Sequence, residues 1–224
     1  MHASAIRRFA ADLSGGDPAV LAAADAALAQ PPRTKEVVGF YLDGRETDEE
    51  NVLRCVVSAL MAHGHTTASE DKYQHEIFDQ WSEQVTLPGE VIALLPEILD
   101  PATDMEEEQL DDWDAYVERR RAETRAGYVA AVRALEGAFE AAGTPLMMMD
   151  LAGGDTLVFL APPPDVAQRW NGVRLATTYQ GHPMGLRTPD WDAFWGCLDY
   201  ATGLTEGDAP EGATLAVEWR APST

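Results

Sequence analysis

Residues Pro145–Pro162 read PLMMMDLAGGDTLVFLAP. Two apolar runs, Leu146–Leu151 and Thr156–Ala161, flank Ala152–Asp155, where Gly153 and Gly154 supply the positive φ that a tight turn needs. Strand side chains alternate between faces, so Met147 and Met149 share one side and Met148 takes the other. A hairpin apolar on both sides is disfavoured as a water-facing edge, which predicts a central place in a sheet with the rest packed around it. Pro162-Pro163-Pro164 ends the second run.

Upstream, Ala5–Leu13 and Pro18–Gln30 read as two short helices. Asp17 is the N-cap of the second and Pro18 its first residue. Glu36–Leu42, EVVGFYL, is β-rich and leads into the turn Asp43-Gly44. Thr47 with Glu50 three residues later forms a capping box. The helix it opens carries Val52, Leu53, Val56, Val57, Leu60 and Met61 on a broad apolar stripe, and Gly64 stops it. Ser69–Val85 places Tyr73, Ile77 and Trp81 at helical steps. Glu90–Leu95 is a short helix ended by Pro96. The run Asp104–Asp114 contains no base; it reads either as a disordered linker or, preferred, as the first turns of a helix whose dipole favours acids there. Arg119, Arg120, Arg121 and Arg125 follow, able to pair with Glu along the solvent side. Trp113, Tyr116, Val117, Tyr128, Val132, Leu135 and Phe139 set its period.

Downstream, Asp165–Trp170 is a short helix stopped by Asn171-Gly172, and Val173–Tyr179 alternates as a strand. Gln180–Arg187, QGHPMGLR, reads as a loop. Thr188-Pro189-Asp190 opens a helix that turns Trp191, Phe194, Trp195 and Leu198 inward, and Ala213–Trp219 is a last strand. The mixture predicts an α+β fold: a mixed sheet of about five strands built on the central hairpin 146–161, with helices packed on it. Residues 1–224 read as one domain, with residues 1–100 a candidate N-terminal helical lobe.

The 224 residues carry 46% hydrophobic side chains, enough for a packed core without staples. The formal charge of −22 argues against nucleic acid and an anionic membrane surface, both of which need clustered Lys and Arg. It would steer a basic protein partner inward, and it also serves plain solubility. Cys55 and Cys197 are the only cysteines; both sit in apolar helical patterns and read as buried free thiols. No run approaches the length of a membrane span, and the first residues lack a signal-peptide core, so a cytoplasmic location is expected.

The best polar constellation for chemistry is His63, His65, Asp71 and His75, with Glu70 and Asp79 nearby. Imidazole and carboxylate donors suit a divalent transition metal, but the spacing matches neither HExxH nor a Cys/His ribbon. The same residues also read as a solvent-facing side opposite Tyr73, Ile77 and Trp81. His182 and Arg187 lie among glycines and could face an oxyanion, although no nucleophile elbow accompanies them. Asp150 and Asp155 flank the hairpin turn and read more readily as turn formers than as an acid–base pair.

The strand–turn–helix Val37–Met61 and the helix–hairpin Leu135–Pro162, with its Gly-Gly-Asp turn, resemble parts of small acidic bacterial proteins of uncharacterised function. The acidic α+β style with scattered Trp is similar to immunity proteins that neutralise bacterial toxins. That resemblance implies a protein-binding role and no catalytic residue. The leading expectation is a non-enzymatic, protein-binding module without a cofactor. Its contact surface would be Glu106, Glu107, Glu108, Asp111 and Asp112, with His182 and Arg187. The alternative is a metal-dependent hydrolase using His63, His65, Asp71 and His75.

Overall fold

Asp17 sets the first corner of the fold. One oxygen of its side chain accepts the Ala19 N–H at 2.8 Å, so helix α2 (Pro18–Ala29) starts where the cap and the N1 proline predict. Helix α1 (Ala3–Ser14) precedes it. Helix α3 (Asp48–Ala62) opens with both halves of the Thr47/Glu50 capping box. It closes on His63 and on Gly64 at φ 73°. There His65 N–H reaches Leu60 O at 2.9 Å and Gly64 N–H reaches Met61 O at 3.1 Å. This paired return of N–H groups satisfies carbonyls that a helix end leaves unmet.

The structure is a computed structural model and describes residues 3–32, 44–70, 113–151, 156–192, 194–196, 207–211 and 218–222. Expected elements at 36–42, 71–95 and 212–217, the acidic residues 104–112, the turn 152–155 and Cys197 lie outside the described residues. The chain divides into two compact units. Unit 1 comprises Met1–Glu70, Thr144–Thr188 and Val217–Thr224; unit 2 comprises Asp71–Gly143 and Pro189–Ala216.

Unit 1 holds the sheet. Strands β1 (Thr67–Glu70), β2 (Met147–Asp150), β3 (Thr156–Leu160) and β5 (Pro183–Arg187) pair in the order β1–β3–β2–β5, and the two-residue β4 (Ala176–Thr177) continues the sheet beside β5. All these ladders are antiparallel. The expected mixture of parallel and antiparallel strands therefore reduces, among the described residues, to a small antiparallel sheet and one isolated parallel bridge, Val173 with Arg220. The fold is mixed α+β.

Two sequence expectations are corrected. Ser69 and Glu70 do not start a helix; they end β1, where Ser69 pairs with Leu157 and Glu70 with Thr156. Nor is Gln180–Arg187 a loop throughout, because Pro183–Arg187 is β5, paired with β2 on one side and β4 on the other. Proline tolerates a strand's first residue, where no ladder N–H is required of it. Gly185 is needed where backbone passes close by: a Cβ there would meet Val173 O at 2.2 Å and the Trp219 ring at 2.9 Å.

All three methionines of β2 are buried. Met147 and Met149 join Val158, Leu160, Met184 and Leu186 in a core shared with Ile6 and Phe9 of α1, Val20 of α2, and Val52, Val56, Val57 and Leu60 of α3. Met148 stands in one cross-strand row with Phe159 and Arg187. Helix α5 (Pro164–Trp170) adds Trp170, whose ring meets Phe9 edge-on at 5.3 Å. Asp12 accepts both Trp170 Nε1–H at 2.8 Å and Arg169 Nη1–H at 2.6 Å. The end of α5 is held by Arg220, whose guanidinium donates to the carbonyls of Gln168, Arg169 and Asn171, a cation at the negative end of a helix.

Unit 2 is built on helix α4 (Trp113–Ala141). Tyr128, Val132, Leu135 and Phe139 are buried at steps of four, three and four. Trp191, Phe194 and Trp195 are buried too. The Tyr128 ring packs on Trp195 at 5.0 Å and on Phe194 at 6.3 Å, and its hydroxyl donates to Trp191 O. Trp191 Nε1–H donates to Glu136 at 2.9 Å, giving a buried indole the polar partner it needs.

Candidate functional site

The end of α3 and the start of α2 bring three side chains together. His63 and His65 follow α3, one as its cap and one two residues on, because the turn at Gly64 folds the chain back. The Asp17 oxygen Oδ2 lies 3.2 Å from His65 Nε2 and 3.9 Å from His63 Nδ1. The other Asp17 oxygen is spent on the Ala19 N–H. The Ala19 N–H first, and then His65, holds the Asp17 carboxyl below the usual carboxylate range. Asp17 therefore joins two helix ends through one carboxylate.

Of the four residues expected to bind a metal, the structure thus brings His63 and His65 to Asp17, while Asp71 and His75 lie outside the described residues. Among the described residues, no group of three or more His, Cys, Asp or Glu side chains is arranged to hold a metal ion. Cys55 is half-buried in α3, and burial pushes its thiol pKa up, which disfavours the thiolate that a nucleophile or metal ligand requires.

A second cluster lies at the opposite end of α3. Glu50, 2% exposed, accepts the backbone N–H of Thr47 at 2.5 Å and of Tyr179 at 3.2 Å through the same oxygen. Arg54, one turn on and also buried, donates Nη2–H to Leu151 O at 3.1 Å. Burial lowers the Arg54 pKa, and the charges of Glu50 and Glu46 oppose that shift. Thr47 Oγ1–H donates to Thr177 O at 3.1 Å. The cluster fastens α3 to the hairpin end and to the β4–β5 turn; its chemistry is that of a buried tie.

His182 is exposed at that turn, and its backbone N–H is held by Thr178 Oγ1 at 3.0 Å. Arg187 is not beside it in function: its Nε lies 2.7 Å from Asp150 Oδ2, across β5 and β2. The two residues expected to share an anion-facing surface have separate settings, one at a turn tip and one in a cross-strand ion pair. Asp150 likewise has this partner in place of a role in the hairpin turn alone. Glu106, Glu107, Glu108, Asp111 and Asp112 lie outside the described residues.

Immediately after them, α4 starts with Trp113, 50% exposed, and its ring lies 5.7 Å from that of Tyr116. The Arg119 guanidinium sits over the Tyr116 ring at 5.6 Å. The arginines that follow are paired: Arg120 with Glu123 at 3.3 Å and Arg121 with Glu118 at 2.9 Å. This matches the Glu–Arg spacing of the helix.

Sequence reasoning treated Asp17 only as a cap and Glu50 only as half of a capping box. Arg54 carried a usable signal, since it interrupts the apolar stripe of α3 four residues after Glu50. Asp17 carried none toward the histidines, being 46 residues from the nearer one. Among the described residues no helix is long and apolar enough to cross a membrane. No protein-family model matches the chain, and comparison with curated proteins and with solved structures finds no match.

Proposed function

We propose that this chain is an acidic protein-binding module of the immunity or regulatory type, acting in the cytoplasm by docking a basic partner protein. In this reading the hairpin 146–161 is the scaffold of a sheet of about five strands. Glu106, Glu107, Glu108, Asp111 and Asp112 supply the field that draws the partner in. The observation that carries the reading is the formal charge of −22, which raises the encounter rate with a cationic surface and repels nucleic acid and anionic lipid. The arrangements around Glu50, Asp150 and Asp12 agree with it, since each carboxylate serves to tie elements together.

The test is the association rate of the wild type and of an E106K/E107K/E108K variant with a partner isolated by cross-linking in cells. A rate that falls with added salt, and falls again on charge reversal, supports the reading. An on-rate indifferent to both would remove it.

The second reading is a metal-dependent hydrolase using His63, His65, Asp71 and His75; the approach of His63 and His65 to one carboxylate, Asp17, is the observation nearest to it, although that trio is not itself arranged to hold a metal ion. Elemental analysis of protein made without a histidine tag tests it. Stoichiometric zinc or manganese would support it, and a thermal melting point unmoved by either metal would count against it.

A further inference from the structure

The charge is unevenly divided between the two units. Unit 2 has 24 Asp and Glu against 6 Lys and Arg, a formal −18; unit 1 has 14 against 10, a formal −4. Exposed aromatic surface also occurs in unit 2, at the first turn of α4. Trp113 is half exposed and Tyr116 is its ring neighbour one turn on. Half of a tryptophan in water leaves apolar surface uncovered that burial would favour. Core demands do not account for it, because among the described residues the buried positions of α4 run from Thr124 to Phe139.

We propose that the Trp113–Tyr116 face of α4 is the docking point for an arginine-rich segment of the partner protein. The proposal rests on the protein-binding reading above and gives it a location and a chemistry. Two observations select the occupant. First, the rings sit in the unit that carries −18, directly after a run, Asp104–Asp112, that has six acids and no base. A cationic segment is attracted there, whereas an acidic peptide or nucleic acid is repelled. Second, Arg119 lies over the Tyr116 ring at 5.6 Å, within the distance at which a cation is held by a ring quadrupole. The partner's guanidinium would make the same contact on Trp113, the ring type that binds cations best. Arginine is preferred to lysine because a planar guanidinium stacks on an indole and an ammonium does not. Arg121 is matched by Glu118, and Arg119 and Arg120 share Glu123; because Arg119 already covers Tyr116, the ring left for the partner's guanidinium is Trp113.

The experiment uses the full chain and two fluorescent probes, nona-arginine and nona-lysine, titrated at low and at near-physiological salt. Wild type is compared with W113A and with E106K/E107K/E108K, and circular dichroism checks that each variant is folded. The expected result is that W113A weakens nona-arginine binding about two- to fivefold, the scale of one exposed cation–π contact, and weakens nona-lysine less, since an ammonium meets the ring without stacking on it. Charge reversal should weaken both probes, most at low salt. If W113A binds nona-arginine as the wild type does, the docking point is overturned and the broader acidic reading stands. If neither probe binds the wild type at low salt, both fall.

Discussion

Glu50 offers the sharpest test of how the fold is held. Replacing it by Ala removes one carboxylate oxygen that two backbone N–H groups share, those of Thr47 and Tyr179. It also withdraws a charge that counteracts the burial of Arg54. A buried donor left without its charged acceptor costs about 1–3 kcal/mol, and stranding one member of a buried charge set costs about 3–5 kcal/mol. These losses pass through one side chain and do not add, so E50A should lose about 3–5 kcal/mol in all. At about 2–4 °C per kcal/mol for a chain of this size, the melting temperature should fall by roughly 6–20 °C. Thr47→Ala removes the cap and the Thr177 O hydrogen bond together and provides a scale of about 1–2 kcal/mol. The discriminating variant is E50A/R54M. With the guanidinium replaced by an apolar side chain of similar length, no cation is stranded, and the double variant should melt above E50A. Thermal melts followed by circular dichroism decide the matter. An E50A variant that loses no more than T47A, or a double variant that melts below E50A, would refute the reasoning.

Three further outcomes are expected. Asp17→Asn removes the carboxylate whose pKa is lowered in the folded chain; a lowered folded pKa gives stability above the unfolded value, about 4, that disappears as pH falls through the folded one. The melting-temperature gap between wild type and D17N should therefore be full at pH 6–7 and close below about pH 4, and a gap constant over that range would contradict the assignment. Gly185→Ala forces a Cβ against Val173 O and the Trp219 ring, so denaturant titration should show a loss of about 1–3 kcal/mol, the cost of overpacking; a midpoint equal to wild type would show that the backbone yields there. Met149→Ala, at a position 3% exposed in the shared core of sheet and helices, should cost about 2–5 kcal/mol by the same measurement, and a loss near zero would mean that the core closes around the gap.

Where local chemistry and tertiary context agree, the sequence was legible. The caps at Asp17 and Thr47 and the stop at Gly64 are set by residues within a few positions of one another, and the paired strands β2 and β3 by partners no more than 13 residues apart. β5 was misread because proline and glycine usually mark loops, and here one stands at a strand's start and the other beneath a close backbone approach. At Ser69, pairing with Leu157 overrode the helical spacing read from Tyr73, Ile77 and Trp81 in the sequence. The Asp17–His63–His65 group and the Arg187–Asp150 pair link positions 37 or more apart, and periodicity has no access to such distances.

Unit 1 is discontinuous, with 73 residues of unit 2 between Glu70 and Thr144. During synthesis, α1, α2 and α3 emerge with their apolar sides uncovered, because Met147, Met149 and Leu186 have not yet been made. The closing strands arrive only after α4 is complete, and Arg220, which fastens α5, is made after them. Long-range closure of this kind slows folding and prolongs the exposure of sticky surface. A nascent chain that stops short of residue 184 leaves the core side of α1, α2 and α3 without the Met184 and Leu186 that cover it.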